Sequence, residues 1–300
     1  MILRQEKLNI TLFALILVMS FSPGCSSDGS GGSSSPLTAD HTIARLSILE
    51  SIPASAINNA KSNLHIAYGH TSHGSQIRTG LDNLDTFMGG SGLYDFYDIT
   101  DGDSASAGYL DFRDYDGNFG DLGTAQDLGN PDMTSWEAAT RTYLDGHPDV
   151  NVIVWSWCGQ VSSATESDIN TYLKLMNALE SDYPDVKFVY MTGHLDGTGT
   201  SGNLHIRNEQ IRAYCRTNGK ILFDFADIES YDPDGNCFLD LNANDACGYD
   251  GGNWATEWQG THTINVDWYD CSSAHSEPLN ANMKAYAFWW LLARLAGWEG

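Results

Sequence analysis

Apolar residues fall into two patterns along the chain. Short, mostly apolar runs predict buried strands at Leu64 to Tyr68, Val150 to Trp155, Val186 to Met191 and Lys220 to Phe225. Between and after them the apolar positions recur every three or four residues, which predicts helices. One occupies Ala39 to Lys61, interrupted at Pro53. A second runs from Thr134 to Leu144, with Glu137 placed for a capping box. A third, Ser167 to Leu179, puts Ile169, Tyr172, Leu173, Met176 and Leu179 on one face. A fourth lies near Asn208 to Cys215, and the last, Pro278 to Leu295, buries Phe288, Leu291, Leu292 and Leu295. Residues 89–132 are crowded with Gly and Asp, carry little periodicity and read as a long irregular insertion. Strands alternating with helices predict an α/β protein, a three-layer α/β/α sandwich with a central parallel sheet and long irregular loops. In such sheets ligands bind beyond the carboxyl ends of the strands.

The N-terminus predicts export. Arg4 and Lys7 precede an apolar run from Leu8 to Phe21, the length of a signal-peptide core and short for a membrane span. Pro23-Gly24-Cys25 and a Gly/Ser stretch follow. Residues 1–24 thus read as a signal peptide, and residues 25–36 resemble the lipid-bearing Cys25 and flexible tether of a bacterial lipoprotein. A plain cleaved secretion signal is the alternative. Either places residues 37–300, a single domain, outside the cytoplasm, with any membrane contact made through the N-terminal lipid.

Charge narrows the function. The 300 residues carry 15 Lys+Arg against 39 Asp+Glu, a formal net charge of -24. No basic face is available to grip nucleic acid, so nucleic-acid partners are excluded. The acids are 29 Asp and 10 Glu, a bias toward turns and loops over helix surfaces. Besides Cys25 there are Cys158, Cys215, Cys237, Cys247 and Cys271, an odd number, and Cys237 with Cys247 brackets a short loop as the expected disulfide.

The residues able to do chemistry follow the predicted strands. His70-Thr71-Ser72-His73-Gly74 follows the first, Ser156-Trp157-Cys158-Gly159-Gln160 the second and Thr192-Gly193-His194 the third; Asp267 to Ser276 precedes the last helix. A serine on a strand-to-helix turn is presented beside backbone N–H groups that can hold an oxyanion, and a histidine from elsewhere in the chain can take its proton.

Ile66 to Ser72, Val154 to Gln160 and Ala274 to Asn280 together resemble the motifs of the SGNH/GDSL hydrolase superfamily over roughly residues 63–297. The resemblance implies a serine esterase with Ser72 as nucleophile, His275 as base and Asp270 as the acid. Asp267, or a dyad without an acid, is the alternative, since Ser272 stands where the family has its acid. It further implies Gln160 and Gly129 in the oxyanion hole, Gly120 and Gly123 being rivals for the glycine and Thr71 and Ser75 rivals for the nucleophile. His70, His73 and His194 would line the substrate pocket. No cofactor is required, and the expected substrate is a small-molecule ester or an O-acylated polysaccharide. Two other classes stay open: a catalytically inactive carbohydrate-binding or surface lipoprotein, and a metallohydrolase ligated by these histidines. Asp232, Asp234, Asn236 and Asp240 offer alternating oxygen donors of the kind calcium prefers, a structural calcium loop that competes with a solvated acidic loop.

Overall fold

The computed structural model describes residues 36–98, 107–116 and 125–300. The signal segment, Cys25, nearly all of the tether, Gly120 and Gly123 lie outside the described residues. Seven strands form one sheet: β1 (Thr38–Ala39), β2 (His65–His70), β3 (Phe96–Asp98), β4 (Leu110–Asp116), β5 (Val152–Trp155), β6 (Lys187–Met191) and β7 (Ile221–Phe223). Their order is β1-β7-β6-β5-β2-β4-β3, and every pairing is parallel. The expected α/β sandwich is thus present. Its chain connections reverse direction between β2 and β5, the place where doubly wound sheets open a crevice.

Helices cover both faces. On one, α9 (Pro278–Leu295) packs against α1 (Leu46–Ser51), α2 (Ala54–Asn63), α3 (Ser75–Phe87), α7 (Phe225–Glu229) and α8 (Trp254–Thr261). On the other lie α4 (Ser135–Gly146), α5 (Glu166–Asp182) and α6 (Asn203–Asn218). Most of α9 is buried, its polar residues Asn280, Asn282 and Lys284 included, which is why its sequence is apolar nearly all round. Phe288 joins it to the sheet, edge-on to Phe112 at 5.8 Å and Phe223 at 6.1 Å. No described helix is long and apolar enough to cross a membrane.

Three expectations are corrected. Residues 89–132 do not form a wholly irregular insertion, because β3 and β4 lie within them. Arg113 on β4 hydrogen-bonds both carboxylate oxygens of Asp111 and reaches Asp149, so charged residues stand buried in a strand that hydropathy does not reveal. The α4 cap is Asp132, whose Oδ1 accepts from the N–H groups of Thr134 and Ser135 at 2.8 Å, and Thr134 makes no side-chain cap. The Cys237–Cys247 disulfide is not formed: Cys247 is a free, buried thiol beside Ser276 Oγ at 3.4 Å, in the segment before α9 rather than facing across its own loop.

Candidate active site

The crevice between β2 and β5 is built by close approach. Beyond β2 the chain turns through Ser72-His73-Gly74 into α3. A Cβ on Gly74 would stand 2.2 Å from Ser156 Oγ and 2.4 Å from His70 Cβ. Glycine therefore lets the first turn of α3 press against the segment that follows β5. The contact brings His73 to Cys158.

His73 stands between two acceptors. Its Nδ1 is 3.1 Å from Cys158 Sγ and its Nε2 is 2.9 Å from Asp245 Oδ2. Burial opposes a charge on this ring, yet the hydrogen bonds to Asp245 and Cys158 outweigh it and raise the pKa to about 9. The hydrogen bond from His73 in turn pulls the half-buried Cys158 thiol down to about 7, against its burial. Between those values the pair exists as thiolate and imidazolium. Alkylation of Cys158 by iodoacetamide should therefore be half-maximal near pH 7, not near the 9 of an ordinary thiol. Asp245→Asn removes the negative charge that holds the imidazolium and should move the midpoint upward; mass-resolved labelling against pH reads both.

Asp127 ties the surrounding loops together. Its buried carboxylate accepts from Thr71 Oγ1 at 2.8 Å, Gly129 N at 2.9 Å and Gln160 Nε2 at 3.0 Å, while Cys158 N donates to Gln160 Oε1 at 2.9 Å. The donors expected to hold an oxyanion, Gln160 and Gly129, are thus spent on Asp127. The backbone N–H groups of Ser72, expected with Gln160 to hold an oxyanion, and of His73, just ahead of α3, have no acceptor among the described residues and are free to hold one.

The histidines expected at the rim do gather there, with different roles. His194 and His275 lie against the two faces of His73, with ring centroids at 3.7 and 4.5 Å. His275 is exposed, holds a left-handed φ of 58°, and makes no hydrogen bond to Ser72 or Asp270. Ser72 Oγ lies 3.8 Å from Cys158 Sγ; Asp270 is exposed, and Asp267 accepts from Thr263 N at 2.7 Å. The expected Ser72–His275–Asp270 relay is therefore not assembled. His70 does not line the pocket either: it is fully buried and paired with Asp114.

His73, His194 and Asp245 hold ligand atoms within 4.8 Å of one another. Ring geometry opposes a shared metal ion. Imidazole lone pairs lie in the ring plane, and the two rings are parallel within 3°. An ion about 2.1 Å from both Nε2 atoms would stand on the order of 60° out of each plane. The expected calcium donors do not converge: Asp232 accepts from Asn236 N and Nδ2, and Asp234 from Trp258 Nε1.

Beneath the site, Lys284 on α9 is fully buried. Its Nζ bonds Gln76 Oε1 and lies 2.7 Å from Glu229 Oε1. Glu229 Oε2 accepts from Leu195 N at 2.7 Å, and Gln76 Nε2 donates to Ala274 O at 2.6 Å. One buried ion pair thereby reaches the neighbours of His73, His194 and His275.

Sequence reasoning missed Cys158 as a reacting group, and it placed Asp245 among the oxygen donors of the calcium loop instead of beside His73. Cys158 had a signal, a thiol one turn beyond a buried strand; Asp245, in a loop 172 residues from His73, had none. The chain matches no family model, and no curated protein or solved structure resembles it significantly.

Proposed function

We propose that the chain is an acyl-transfer hydrolase that cleaves an ester or thioester, with Cys158 as nucleophile, His73 as acid and base, and Asp245 holding the imidazolium. The observation that carries this reading is His73 standing between a half-buried thiol of lowered pKa and a carboxylate. The thiolate attacks the carbonyl carbon, and the Ser72 and His73 N–H groups receive the developing oxyanion. His73 protonates the leaving alcohol or thiol as its bond to the carbonyl breaks. Neutral His73 then takes a proton from water, which attacks the acyl-thioester and releases the acid. The proton on His73 restores the ion pair.

Strand order and the gathering of reactive residues at the strand ends support a divergent relative of the SGNH/GDSL hydrolases in which sulfur has replaced the hydroxyl nucleophile. The basic and apolar N-terminal sequence and Cys25 support an extracytoplasmic enzyme, tethered by lipid or secreted, for which acylated polysaccharide is an accessible substrate. The test is a single-turnover reaction with an acetyl thioester and with p-nitrophenyl acetate, followed by mass spectrometry of peptides. An acyl group on Cys158 supports the proposal. Turnover with the acyl group on Ser72, or turnover abolished by chelator, sinks it.

A further inference from the structure

His194 offers a hydrogen-bond acceptor that none of the described residues uses. Its Nδ1 is 2.7 Å from Leu195 O. A carbonyl oxygen only accepts, so Nδ1 carries the proton and Nε2 keeps its lone pair. That nitrogen is buried and has no partner, on a ring 8% exposed. The face of the ring lies on His73, so the free nitrogen has only its edge direction in which to find a partner.

The space it borders lies over the residue after the nucleophile. Gly159 is exposed and has an ordinary φ of -81°. Where its Cβ would stand, the nearest described heavy atom outside residues 158–160 is His194 Nε2 at 3.9 Å. The result is a notch beside Cys158 whose inner edge carries the buried His194 Nε2.

We infer that this notch recognises a hydroxyl or amide N–H that the substrate carries within two to four bonds of the scissile carbonyl, with His194 Nε2 accepting from it. The substrates are then acyl compounds with a hydrogen-bond donor beside the reacting ester: a hydroxylated acyl group, or an alcohol with a neighbouring hydroxyl or amide, as on a sugar ring. A donor pairs the buried nitrogen, whereas an ether oxygen in the same place sets lone pair against lone pair and leaves the nitrogen unpaired. Burial also keeps this imidazole neutral, as does the charge on His73 beside it. The inference rests on Cys158 as the acylated residue.

Matched substrate pairs test it. One pair varies the leaving side, the thioacetates of 2-mercaptoethanol and of its methyl ether; the other varies the acyl side, a glycolyl and a methoxyacetyl thioester. The two members of each pair have carbonyls of similar electrophilicity. The wild-type protein should favour the hydroxyl member of at least one pair by on the order of 100-fold in kcat/KM. His194→Leu should bring that ratio to within about threefold, mainly by losing the hydroxyl substrate, and His194→Gln, which keeps an acceptor oxygen, should retain part of it. Gly159→Ala, whose backbone angles suit alanine, should fill the notch and slow the hydroxyl substrate while iodoacetamide still labels Cys158 at the wild-type rate. Equal treatment of both members of both pairs by a wild-type protein that does acylate Cys158 overturns the inference and spares the proposed function. So does a preference that survives in His194→Leu. No acyl group on Cys158 from any of the four substrates overturns both.

Discussion

Replacing Cys158 with alanine should lower kcat/KM for esters and thioesters by at least about 1,000-fold, whereas Ser72→Ala should change it by less than about tenfold. The difference follows from what faces the imidazole. His73 Nδ1 is 3.1 Å from the sulfur, while the Ser72 hydroxyl has the sulfur itself as its neighbour at 3.8 Å. Alanine at 158 cannot bond the acyl group, and the oxyanion donors act alone. Cys158→Ser should be nearly as damaging, since a hydroxyl keeps its proton where a thiol gives it to His73. The pH profile of the wild-type protein should rise through about 7 and fall above about 9, because activity needs Cys158 deprotonated and His73 protonated. Steady-state assays of the three variants with one thioester decide the matter. Full activity in Cys158→Ala with loss in Ser72→Ala would return the nucleophile to the hydroxyl.

Lys284→Met should be the most destabilising of the changes considered, by about 3–5 kcal/mol. Lys284 and Glu229 are both wholly buried and 2.7 Å apart. Burial penalises the lysine's charge and Glu229 offsets that penalty; removing the cation leaves a carboxylate in the core without its counter-charge. For a domain of this size the melting temperature should fall by roughly 10 °C. The double variant Lys284→Met, Glu229→Gln removes both charges and keeps an acceptor for Leu195 N. It should recover most of the lost stability. Urea unfolding of the single and double variants reads this directly, and a double variant no more stable than Lys284→Met would show that the pair's charges are not the source of the loss.

The strongest strands were legible because β2, β5, β6 and β7 are inner strands buried on both faces, which leaves mostly apolar runs in the sequence. The last helix was legible for the same reason. β4 was not: Asp111, Arg113 and Asp114 neutralise one another or their neighbours within the fold, and a hydropathy pattern has no access to pairing in space. The site was half legible. Residues immediately beyond strands were bound to meet at one rim, so His73, His194 and His275 could be expected together. Which nucleophile the imidazole faces is decided by a glycine contact between α3 and the end of β5, at a scale of about an ångström. Spacing along a chain does not resolve that scale, and the choice fell on Cys158 over Ser72.

The Lys284 network also limits what can be transplanted. The loops proposed to carry the reacting atoms are tied to the C-terminal helix through Gln76 and Glu229, which bond Lys284, and through Ser276, which bonds Asn280. Grafting those loops onto another parallel sheet would carry the reagents without the frame that aligns them. A shortened protein ending before Pro278 would lose its chemistry although it had lost none of the groups that perform it.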